Sequence, residues 1–434
     1  MKPGSSLGLP VRLTAFMVIL IASSLVLADC QSYPPPQRLP PAVKIPKVPE
    51  KTIERKGPGL VLYHGPTPKF TCDMDKGSMS LAAKRSLEFL SKVDRDAKFN
   101  YGDKEVTVDR MEATIKRLEH VYREEEDPTK RARIIRKEFD IYIRPETKGP
   151  ATTLITGYYQ PELEVRRKPD AKFRYPIYSK PEDLVRVDLG LFPGSMEEKR
   201  ISGRVVEGAL LPYYDRREID GQGALNGKGL ELAWAEDRMD IFILHVQGSG
   251  VLRFQDGEEK FANFAAVNGR QYRSIGKFLI EEGKVPREKM SLSALRGWFR
   301  DHPEDLDRVL FVNPSYVFFR LMEEGPYGSL GGLLVEGRSA AFDHAVFPKG
   351  APAWFTAKLP YASGGKALGA KNVGRFIFNH DQGGAIKGLG RMDLFYGQGR
   401  DAEAAAGMTK HMGKVYFLLL KDKTYLAMKA QVRR

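Results

Sequence analysis

The sequence predicts a mainly β protein that begins with a few helices. Short runs of β-branched and aromatic residues recur along most of the 434-residue chain, and 42 glycines and 28 prolines interrupt them. Short strands with frequent turn residues are typical of β-barrels and β-sandwiches. Apolar residues at helical spacing are concentrated before residue 145. Together these observations favour β-barrel architecture with helices placed ahead of it.

Residues 1–30 have the pattern of an export signal. Lys2 and Arg12 supply positive charge, and an apolar run from Leu13 to Leu27 follows. A run of this length falls short of the roughly 20 residues that a membrane-spanning helix needs. The sequence therefore predicts an exported protein.

Cys30 leaves two ways of processing this signal open. The residues before it approximate a lipoprotein site, in which Cys30 becomes the lipidated first residue and anchors the chain to a membrane. Ordinary cleavage after Ala28 fits as well, because Asp29 is not the small residue that lipoprotein sites normally carry there. In that case a Cys30–Cys72 disulfide could form in an oxidising compartment.

Residues 31–50, QSYPPPQRLPPAVKIPKVPE, are rich in proline and predict an extended tether. A leader without a role explains the same composition equally well. Three helices are then expected. One spans 80–93, a second contains Met111, Ile115, Leu118 and Tyr122 at helical spacing, and a third begins after the Asp127 cap and continues to residue 139.

The charge of the chain points to an anionic partner. The formal net charge is +14, which suits nucleic acid, anionic lipid or an acidic wall polymer. The basic residues are spread along the chain and form no dense run interleaved with aromatics, so no nucleic-acid binding is expected. The seven histidines have no paired spacing, and the glycine-rich loops lack the order of a phosphate-binding loop. Neither a metal nor a cofactor is expected.

Short strands are predicted from residue 152 onward. Tyr158 lies in one of them, where its ring could pack in the core or stack on a sugar. The segment Asp240 to Phe254, DIFILHVQGSGVLRF, reads as a hairpin that turns at Gly248–Gly250 and places Gln247 and Ser249 at its tip. Amide and hydroxyl groups at a tip suit sugar hydroxyls, although such residues also stabilise turns.

A helix is expected from Ile275 to Glu282, with Tyr272 and Ser274 at its entrance, and strand character returns at Val317–Phe319.

The stretch from Arg375 to Gly399, RFIFNHDQGGAIKGLGRMDLFYGQG, carries the residues best suited to catalysis. It predicts two short strands joined by a glycine-rich loop, with Asp381 and Asp393 at or near the strand ends and Lys387 in the loop. A carboxyl group beside apolar residues such as Leu394 has its pKa raised by desolvation, as a general acid near neutral pH requires. The alternative is that both aspartates only cap turns.

These residues also resemble a known family. HDQGGAIKGLGRMDLFYGQG, preceded by GRSAAFDHAVFPKGAP around Asp343, is similar to the three-aspartate domain of the membrane-bound lytic murein transglycosylase A family. The blocks TGYYQPELEVRR, DIFILHVQGSGVLRFQDG, QYRSIGKFLIEEG and NPSYVFFR resemble further blocks of that family, in its order. The resemblance runs from about Thr156 to Leu420.

The resemblance implies a fold and a domain division. The family has a double-psi β-barrel interrupted by an inserted second β-domain, with a glycan groove between the two. On this chain we expect the signal at 1–30, the tether at 31–50, N-terminal helices and the first part of the barrel at 51–164, the inserted domain at 165–310, and the rest of the barrel at 311–434.

The resemblance further implies lytic cleavage of peptidoglycan. Asp393 matches the position of the single catalytic acid and base, Asp381 that of a supporting aspartate, and Asp343 the first of the three aspartates. The substrate-binding residues expected on this basis are Tyr158, Gln247, Ser249, Tyr272, Ser274, Lys387 and Asp343. The expected partners are glycan strands and a membrane, with cell-wall synthesis or division proteins as open candidates. The expected location is the periplasm, on the outer membrane of a Gram-negative bacterium.

Two other functions stay open at this point. The same groove and charge would suit a wall-binding protein that does not cleave its ligand. A hydrolysing glycosidase could use Asp381 and Asp393 as a carboxylate pair. Products with anhydro ends would distinguish the lytic enzyme from both.

Overall fold

A computed structural model of the chain describes residues 59–146, 151–192 and 200–432. The expected export signal, the tether and Cys30 lie outside the described residues. Within the described ranges, no helix combines the length and the apolar character that crossing a membrane would require.

The N-terminal third contains three helices and five strands. In chain order these are β1 Val61–Leu62, α1 Lys76–Leu90, β2 Lys98–Tyr101, β3 Lys104–Thr107, α2 Val108–Glu124, α3 Pro128–Glu138, β4 Phe139–Ile143 and β5 Thr153–Gln160.

The middle of the chain adds nine strands and four helices. They are β6 Glu162–Arg166, β7 Tyr175–Tyr178, β8 Val185–Asp188, β9 Arg200–Val206, β10 Ala209–Pro212, β11 Glu231–Ala235, α4 Arg238–Gln247, β12 Ser249–Phe254, β13 Glu259–Val267, α5 Ile275–Glu281, α6 Leu292–Asp301, α7 Leu306–Leu310 and β14 Val317–Met322.

The C-terminal part returns to long strands. Its elements are β15 Ser339–Ala341, β16 Pro352–Ser363, β17 Lys366–Asp381, β18 Arg391–Gln398, α8 Gly399–Met408, β19 Lys410–Leu420 and α9 Asp422–Val432.

Six of these strands close into a barrel. The strand order is β19, β16, β17, β15, β18 and β5, and β5 pairs back to β19. The pairs β15–β17 and β18–β5 are parallel, and the other four pairs are antiparallel. Because the last strand pairs with the first, the ring exposes no unpaired edge. Strand β5 comes from before the middle section and the other five from after it, so the barrel is assembled from both ends of the chain.

The N-terminal helices pack on this barrel. Helix α2 buries Met111, Ile115 and Leu118 in the same apolar cluster as Phe376 and Phe417 of the barrel. The third helix begins after Asp127, whose Oδ1 accepts the backbone N–H of Thr129 at 2.7 Å. The first helix spans 76–90 rather than 80–93, because the Asp75 side chain caps it from the earlier position by accepting the N–H of Ser78.

The middle section forms a second sheet of six strands in the order β14, β13, β12, β6, β11 and β7, and a smaller sheet of three strands, β10, β9 and β8. Residues Leu163, Val165, Leu252 and Phe319 bury their side chains between the six-stranded sheet and α4. The chain leaves the barrel after Gln160 and enters this sheet at Glu162.

The predicted hairpin from Asp240 to Phe254 is wrong in its first half. Residues Arg238–Gln247 form helix α4, and only Ser249–Phe254 form a strand. Asp237 caps the helix by accepting the N–H of Met239, and Gly248 ends it with a φ of 79°, a left-handed conformation that favours glycine. The run IFIL is apolar without a polar face because these four residues are all buried, and periodicity alone does not separate such a helix from a buried strand.

The concentration of helices before residue 145 is also wrong. Six of the nine α-helices in the described ranges, α4 to α9, come after that residue. Most of them are short, 5 to 11 residues, and several interrupt strand-rich segments, so the sequence gives them a weak periodic signal. The mainly β character holds, since the barrel and the six-stranded sheet organise both halves of the structure.

Candidate active site

Asp381 and Asp393 lie on either side of one residue of the barrel. Ala341 in β15 is the register partner of Asp381 in parallel strand β17 and of Asp393 in antiparallel strand β18. Two strand spacings separate the backbones of the two aspartates, about 10 Å. On its other side, Asp393 is the register partner of Thr156 in β5. The barrel therefore brings together two carboxyl groups that are twelve residues apart in the sequence.

The Asp393 carboxyl is held in a largely apolar position. Leu394 and Phe395 beside it are buried, and among the described residues its Oδ1 has no hydrogen-bond partner. Burial raises the pKa of Asp393 to about 6, while the Thr156 hydroxyl and the charge of Arg391 lower it and the charge of Asp381 raises it. At pH 7 about a tenth of such a carboxyl group is protonated. It can give and take a proton near neutral pH.

Asp381, in contrast to Asp393, has hydrogen-bond donors on both of its carboxyl oxygens. Its Oδ1 accepts the backbone N–H groups of Ser329 and Gln382, both at 2.9 Å, and its Oδ2 accepts the hydroxyl of Tyr158 at 3.1 Å. Burial raises the pKa of Asp381, and these three donors oppose the rise because they stabilise the ionised form. Asp381 is thus engaged on both oxygens, whereas Asp393 keeps one oxygen unused.

Tyr158 contacts both of the strands that carry the two aspartates. Its ring packs on Phe395 with a centroid distance of 5.2 Å, and its hydroxyl donates to Asp381. Burial and the charges of Asp381 and Asp393 together hold the pKa of Tyr158 well above its usual value, so the hydroxyl keeps its proton. Of the predicted binding residues, Tyr158 is the one that the structure places in direct contact with Asp381.

Asp343 holds the loop between the two strands. Its Oδ2 accepts the backbone N–H of Gly388 at 2.7 Å, and its Oδ1 accepts that of Ala345 at 3.1 Å. The loop from Gln382 to Gly390 is therefore tied to the turn that follows β15. Lys387 lies in this loop with an exposed side chain.

Gln247 and Ser249 do not form the tip of a hairpin. Gln247 is the last residue of α4, and its side-chain oxygen accepts the backbone N–H of Tyr159 at 3.0 Å. Ser249 is the first residue of β12 and is buried. Gln247 thus fixes the second sheet against strand β5, one residue away from Tyr158.

Tyr272 and Ser274 lie at the entrance to α5. The Ser274 hydroxyl caps this helix by accepting the N–H of Lys277 at 3.2 Å, and Tyr272 is 48% exposed. No contact joins either of them to Asp381 or Asp393 in the described part of the chain.

Thr156 and Arg391 complete the surroundings of Asp393, although no sequence pattern had marked either of them as a site residue. Arg391 lies two residues before Asp393 and thus on the same face of β18, and its guanidinium approaches the Thr156 hydroxyl at 3.5 Å. This two-residue spacing can be read from the sequence, so Arg391 could have been predicted as a neighbour of Asp393. Thr156 could not have been found in this way, because it meets Asp393 only through the parallel β5–β18 pairing.

No metal site accompanies these groups. Throughout residues 59–146, 151–192 and 200–432, no three His, Cys, Asp or Glu side chains are grouped as ligands of a metal ion. The groups gathered around Asp393 are suited to proton transfer.

Two family profiles match this chain, one over the second sheet and one over the C-terminal part of the barrel. Residues 154–320 match the family profile described as the MltA specific insert domain, and residues 338–419 match the 3D domain. The chain is 37% identical over 273 residues to membrane-bound lytic murein transglycosylase A of Vibrio cholerae. This match covers 62% of the chain and 66% of the relative, just under two thirds of its length.

Solved structures agree with this assignment over a larger part of the chain. A membrane-bound lytic murein transglycosylase from Agrobacterium tumefaciens superposes with a TM-score of 0.66 at 30% identity, covering 82% of this chain and 95% of that one. Escherichia coli MltA with bound chitohexaose superposes with a TM-score of 0.63 at 27% identity, covering 83% and 94%. The chain belongs to the membrane-bound lytic murein transglycosylase A family.

Proposed function

We propose that this protein is a lytic transglycosylase of peptidoglycan. It cleaves the β-1,4 bond between N-acetylmuramic acid and N-acetylglucosamine and leaves 1,6-anhydromuramic acid ends. The observation that supports this most directly is the Asp393 carboxyl, which has a pKa of about 6 and one unpartnered oxygen within the described structure. The family membership supplies the substrate class.

Asp393 acts twice in the proposed reaction. Its protonated carboxyl first donates the proton to the glycosidic oxygen, so that the bond to C1 of the muramic acid breaks and the N-acetylglucosamine leaves with a hydroxyl. The resulting carboxylate then takes the proton from the C6 hydroxyl of the muramic acid, whose oxygen bonds to C1. Asp393 gives one proton and takes one back, so it ends the reaction protonated as it began, and no water is consumed. A pKa near 6 suits a group that must serve as acid and then as base.

Asp381 is a supporting residue in this proposal. A two-carboxylate hydrolase needs a second carboxylate that is free to activate water or to attack the sugar. Both oxygens of Asp381 are occupied by the donors from Ser329, Gln382 and Tyr158. Its negative charge instead raises the pKa of Asp393. This arrangement favours a single acid and base over a hydrolysing pair.

We propose that the glycan lies across the junction of the barrel and the second sheet. Asp393 is on the barrel side, and Gln247 reaches β5 from the other side. Tyr158, Gln247, Ser249, Tyr272, Ser274, Lys387 and Asp343 remain our proposed substrate-binding residues, with Asp343 acting through the loop it holds. The E. coli relative that was solved with bound chitohexaose agrees with a glycan as the ligand.

The finer fold assignment follows the family. We propose that the closed six-stranded barrel is of the double-psi type and that the predicted division at residues 165 and 310 separates it from the inserted domain. The two parallel pairs within the barrel support the first proposal. The second sheet, whose strands run from Glu162 to Met322, supports the second.

We further propose that the protein works in the periplasm, as an outer-membrane lipoprotein anchored through Cys30. The names of the relatives call them membrane-bound, which agrees with this location. Labelling of cells with a palmitate analogue tests the anchor. We expect label on the wild type and none on Cys30→Ala, and an unlabelled wild type would mean ordinary cleavage after Ala28.

The decisive experiment for the activity is mass spectrometry of muropeptides after digestion of purified peptidoglycan. We expect anhydro products, which are lighter by one water than hydrolysis products. Hydrated reducing ends would identify a hydrolase instead. If a folded protein bound peptidoglycan but released nothing, it would be a wall-binding protein.

A further inference from the structure

A cavity of about 460 Å³ lies at the edge of the six-stranded sheet, away from the aspartate pair. We call it the edge cavity. Strands β7 and β11, the loop after residue 218 and the start of α4 surround it, and the lining residues used below are Arg174, Tyr175, Tyr178, Asn226, Glu231 and Trp234. Its volume is within the range of about 300–1,000 Å³ that is usual for small-molecule sites.

Helix α4 separates the edge cavity from the candidate active site. Arg238, its first residue, lines the cavity, whereas Gln247, its last, binds the backbone of Tyr159 next to Tyr158. A helix of this length spans about 15 Å. The cavity and the Asp393 cluster therefore lie toward opposite ends of α4.

The wall of the cavity is held in place by buried polar groups. Arg238 donates to the backbone oxygen of Asp220 at 2.8 Å, and its guanidinium carbon is 4.9 Å from the ring centre of Tyr175. The Asp220 carboxyl accepts the hydroxyl of Tyr316 at 3.0 Å and lies 3.4 Å from the buried guanidinium of Arg216. Because these groups satisfy one another, the cavity is formed before any ligand binds.

Trp234, on the wall of the edge cavity, differs in its contacts from the other two tryptophans. Of the three tryptophans, Trp354 donates its Nε1–H to the Thr71 oxygen, and Trp298 stacks on His302 at 4.6 Å. Trp234 is half-buried, and its indole has neither a hydrogen-bond partner nor a stacked ring within the described residues. The Nε1–H of Trp234 is not among the buried groups without a partner, so it reaches solvent, and both the ring and its N–H are accessible to a ligand.

The polar groups around Trp234 favour a neutral ligand over an anion. Glu231 is half-buried and has no ion-pair partner in the described ranges, and its negative charge offsets the positive charge of Arg174 on the same wall, so the two together offer an anion no net attraction. Asn226 accepts the Tyr178 hydroxyl at 3.3 Å through its Oδ1, which leaves its NH₂ group as a donor. Arg174 lies over Tyr175 at 5.1 Å and adds further donors.

We propose that the edge cavity is a second, non-catalytic glycan site that binds an N-acetylglucosamine unit. The apolar face of the sugar would stack on Trp234, its hydroxyls would donate to Glu231, and its acetamido oxygen would accept from Asn226. The choice of sugar rests on the proposed function, since the substrate is a strand rich in this unit. Two attachments to one polymer raise the effective concentration of the strand at the active site.

The probe for this site is N,N′,N″-triacetylchitotriose, titrated into the full mature chain that carries Asp393→Asn so that no turnover occurs. Calorimetry should show two sites per chain. Trp234→Ala should weaken one of them by at least about tenfold, as expected for loss of an aromatic anchor, and leave the other unchanged. Tyr361→Ala, which removes a 43% exposed ring on the β16–β17 hairpin, is the matched control and should change neither site.

A second measurement follows the indole N–H resonance of Trp234, assigned as the peak that is lost in Trp234→Phe. Chitotriose should shift this peak in the wild type, and Glu231→Gln should weaken the titration that the peak reports. An unshifted peak at saturating chitotriose overturns the proposal, whether or not Trp234→Ala folds. Anhydro-muropeptide analysis is independent of both of these measurements. A shifted peak without anhydro products would refute the lytic activity. Anhydro products with an unshifted peak would refute only the glycan site in the edge cavity.

Discussion

Tyr158 donates its hydroxyl to Oδ2 of Asp381 at 3.1 Å, and this bond distinguishes the roles of the two aspartates. With the backbone N–H groups of Ser329 and Gln382 on Oδ1, it leaves Asp381 no free oxygen. The neighbouring Asp393 keeps an unpartnered Oδ1 within the described structure. Two carboxyl groups that look alike in the sequence thus have different chemistry.

Asp393→Asn should abolish most of the lytic activity. Asparagine keeps the shape of the side chain but cannot transfer the proton in either step. General acid–base catalysis contributes roughly 10²–10⁴-fold, so release of anhydro-muropeptides should fall by at least that factor. Binding to insoluble peptidoglycan, measured by co-sedimentation, should be retained. Near-normal anhydro products from this variant would show that another group carries the proton.

Asp381→Asn should cost less activity and should move the pH dependence. The amide oxygen can still accept the N–H groups of Ser329 and Gln382, and the Tyr158 hydroxyl can turn to accept from the new NH₂ group. Loss of the negative charge removes one cause that raises the pKa of Asp393, so the alkaline fall in activity should shift to lower pH. Rates measured from pH 4 to 8 test this. A larger loss than that of Asp393→Asn, in a folded protein, would reverse our assignment.

The first proton transfer requires protonated Asp393, so activity should decline as the pH rises past about 6. The same group links pH to stability. Its pKa is higher in the folded chain than the usual 3.8, so the folded state binds the proton more tightly and this stabilisation is lost as the pH rises through about 6. The free energy of unfolding of Asp393→Asn, taken relative to that of wild type at the same pH, should therefore be higher at pH 8 than at pH 3.5 by roughly 1–3 kcal/mol. Denaturant melts of both proteins at the two pH values measure this, and an equal difference at both would contradict the raised pKa.

Asp343→Asn should act mainly on stability. An asparagine has one acceptor oxygen, so either Gly388 or Ala345 loses its partner for the backbone N–H. An unpaired N–H of this kind costs about 1–3 kcal/mol when it is buried, and less where water reaches it. Thermal melting should show the loss, while the activity per folded molecule should change less than in Asp393→Asn. Asp343→Ala, which removes both acceptors, should be the less stable of the two variants.

His380 should make the barrel sensitive to acid. Its ring lies between the hydroxyls of Ser86 and Ser339, each at 2.8 Å, and the Ser86 hydroxyl donates to the Gly350 oxygen, so the ring carries its hydrogen on Nε2. Burial lowers the pKa of His380 from 6.5 to about 3. The unfolded chain then binds a proton that the folded chain does not, and stability should fall as the pH drops below 6.5 toward 3.

The contribution of His380 can be isolated with His380→Gln, which cannot ionise. This variant should be less stable than wild type at pH 7, but its stability should decline by about 2–3 kcal/mol less between pH 7 and pH 4.5. Denaturant unfolding followed by circular dichroism gives both values. Parallel pH profiles of the two proteins would mean that the buried ring is not the group that titrates.

Local sequence determined much of this protein. The apolar stripe of α2, the Asp127 cap and the strands around Val317, Phe376 and Met392 follow from periodicity and turn residues over a few positions, and the structure confirms them. The candidate acid was also identified from its neighbours, because apolar residues beside a carboxyl group imply desolvation. The family resemblance added the order of the domains and the expected roles, which a single chain cannot supply.

Tertiary structure decided the rest. The segment Arg238–Gln247 is a helix whose central residues, Ile241–His245, are all buried, and a short buried helix and a buried strand have the same apolar composition. Thr156 meets Asp393, and Tyr158 meets Asp381, only because β5 pairs with β18 across more than 220 residues of sequence. The pKa of each aspartate depends on these long-range partners and on burial, which are properties of the closed barrel. The sequence by itself could name the two carboxyl groups, and only the packing of the strands made one of them different from the other.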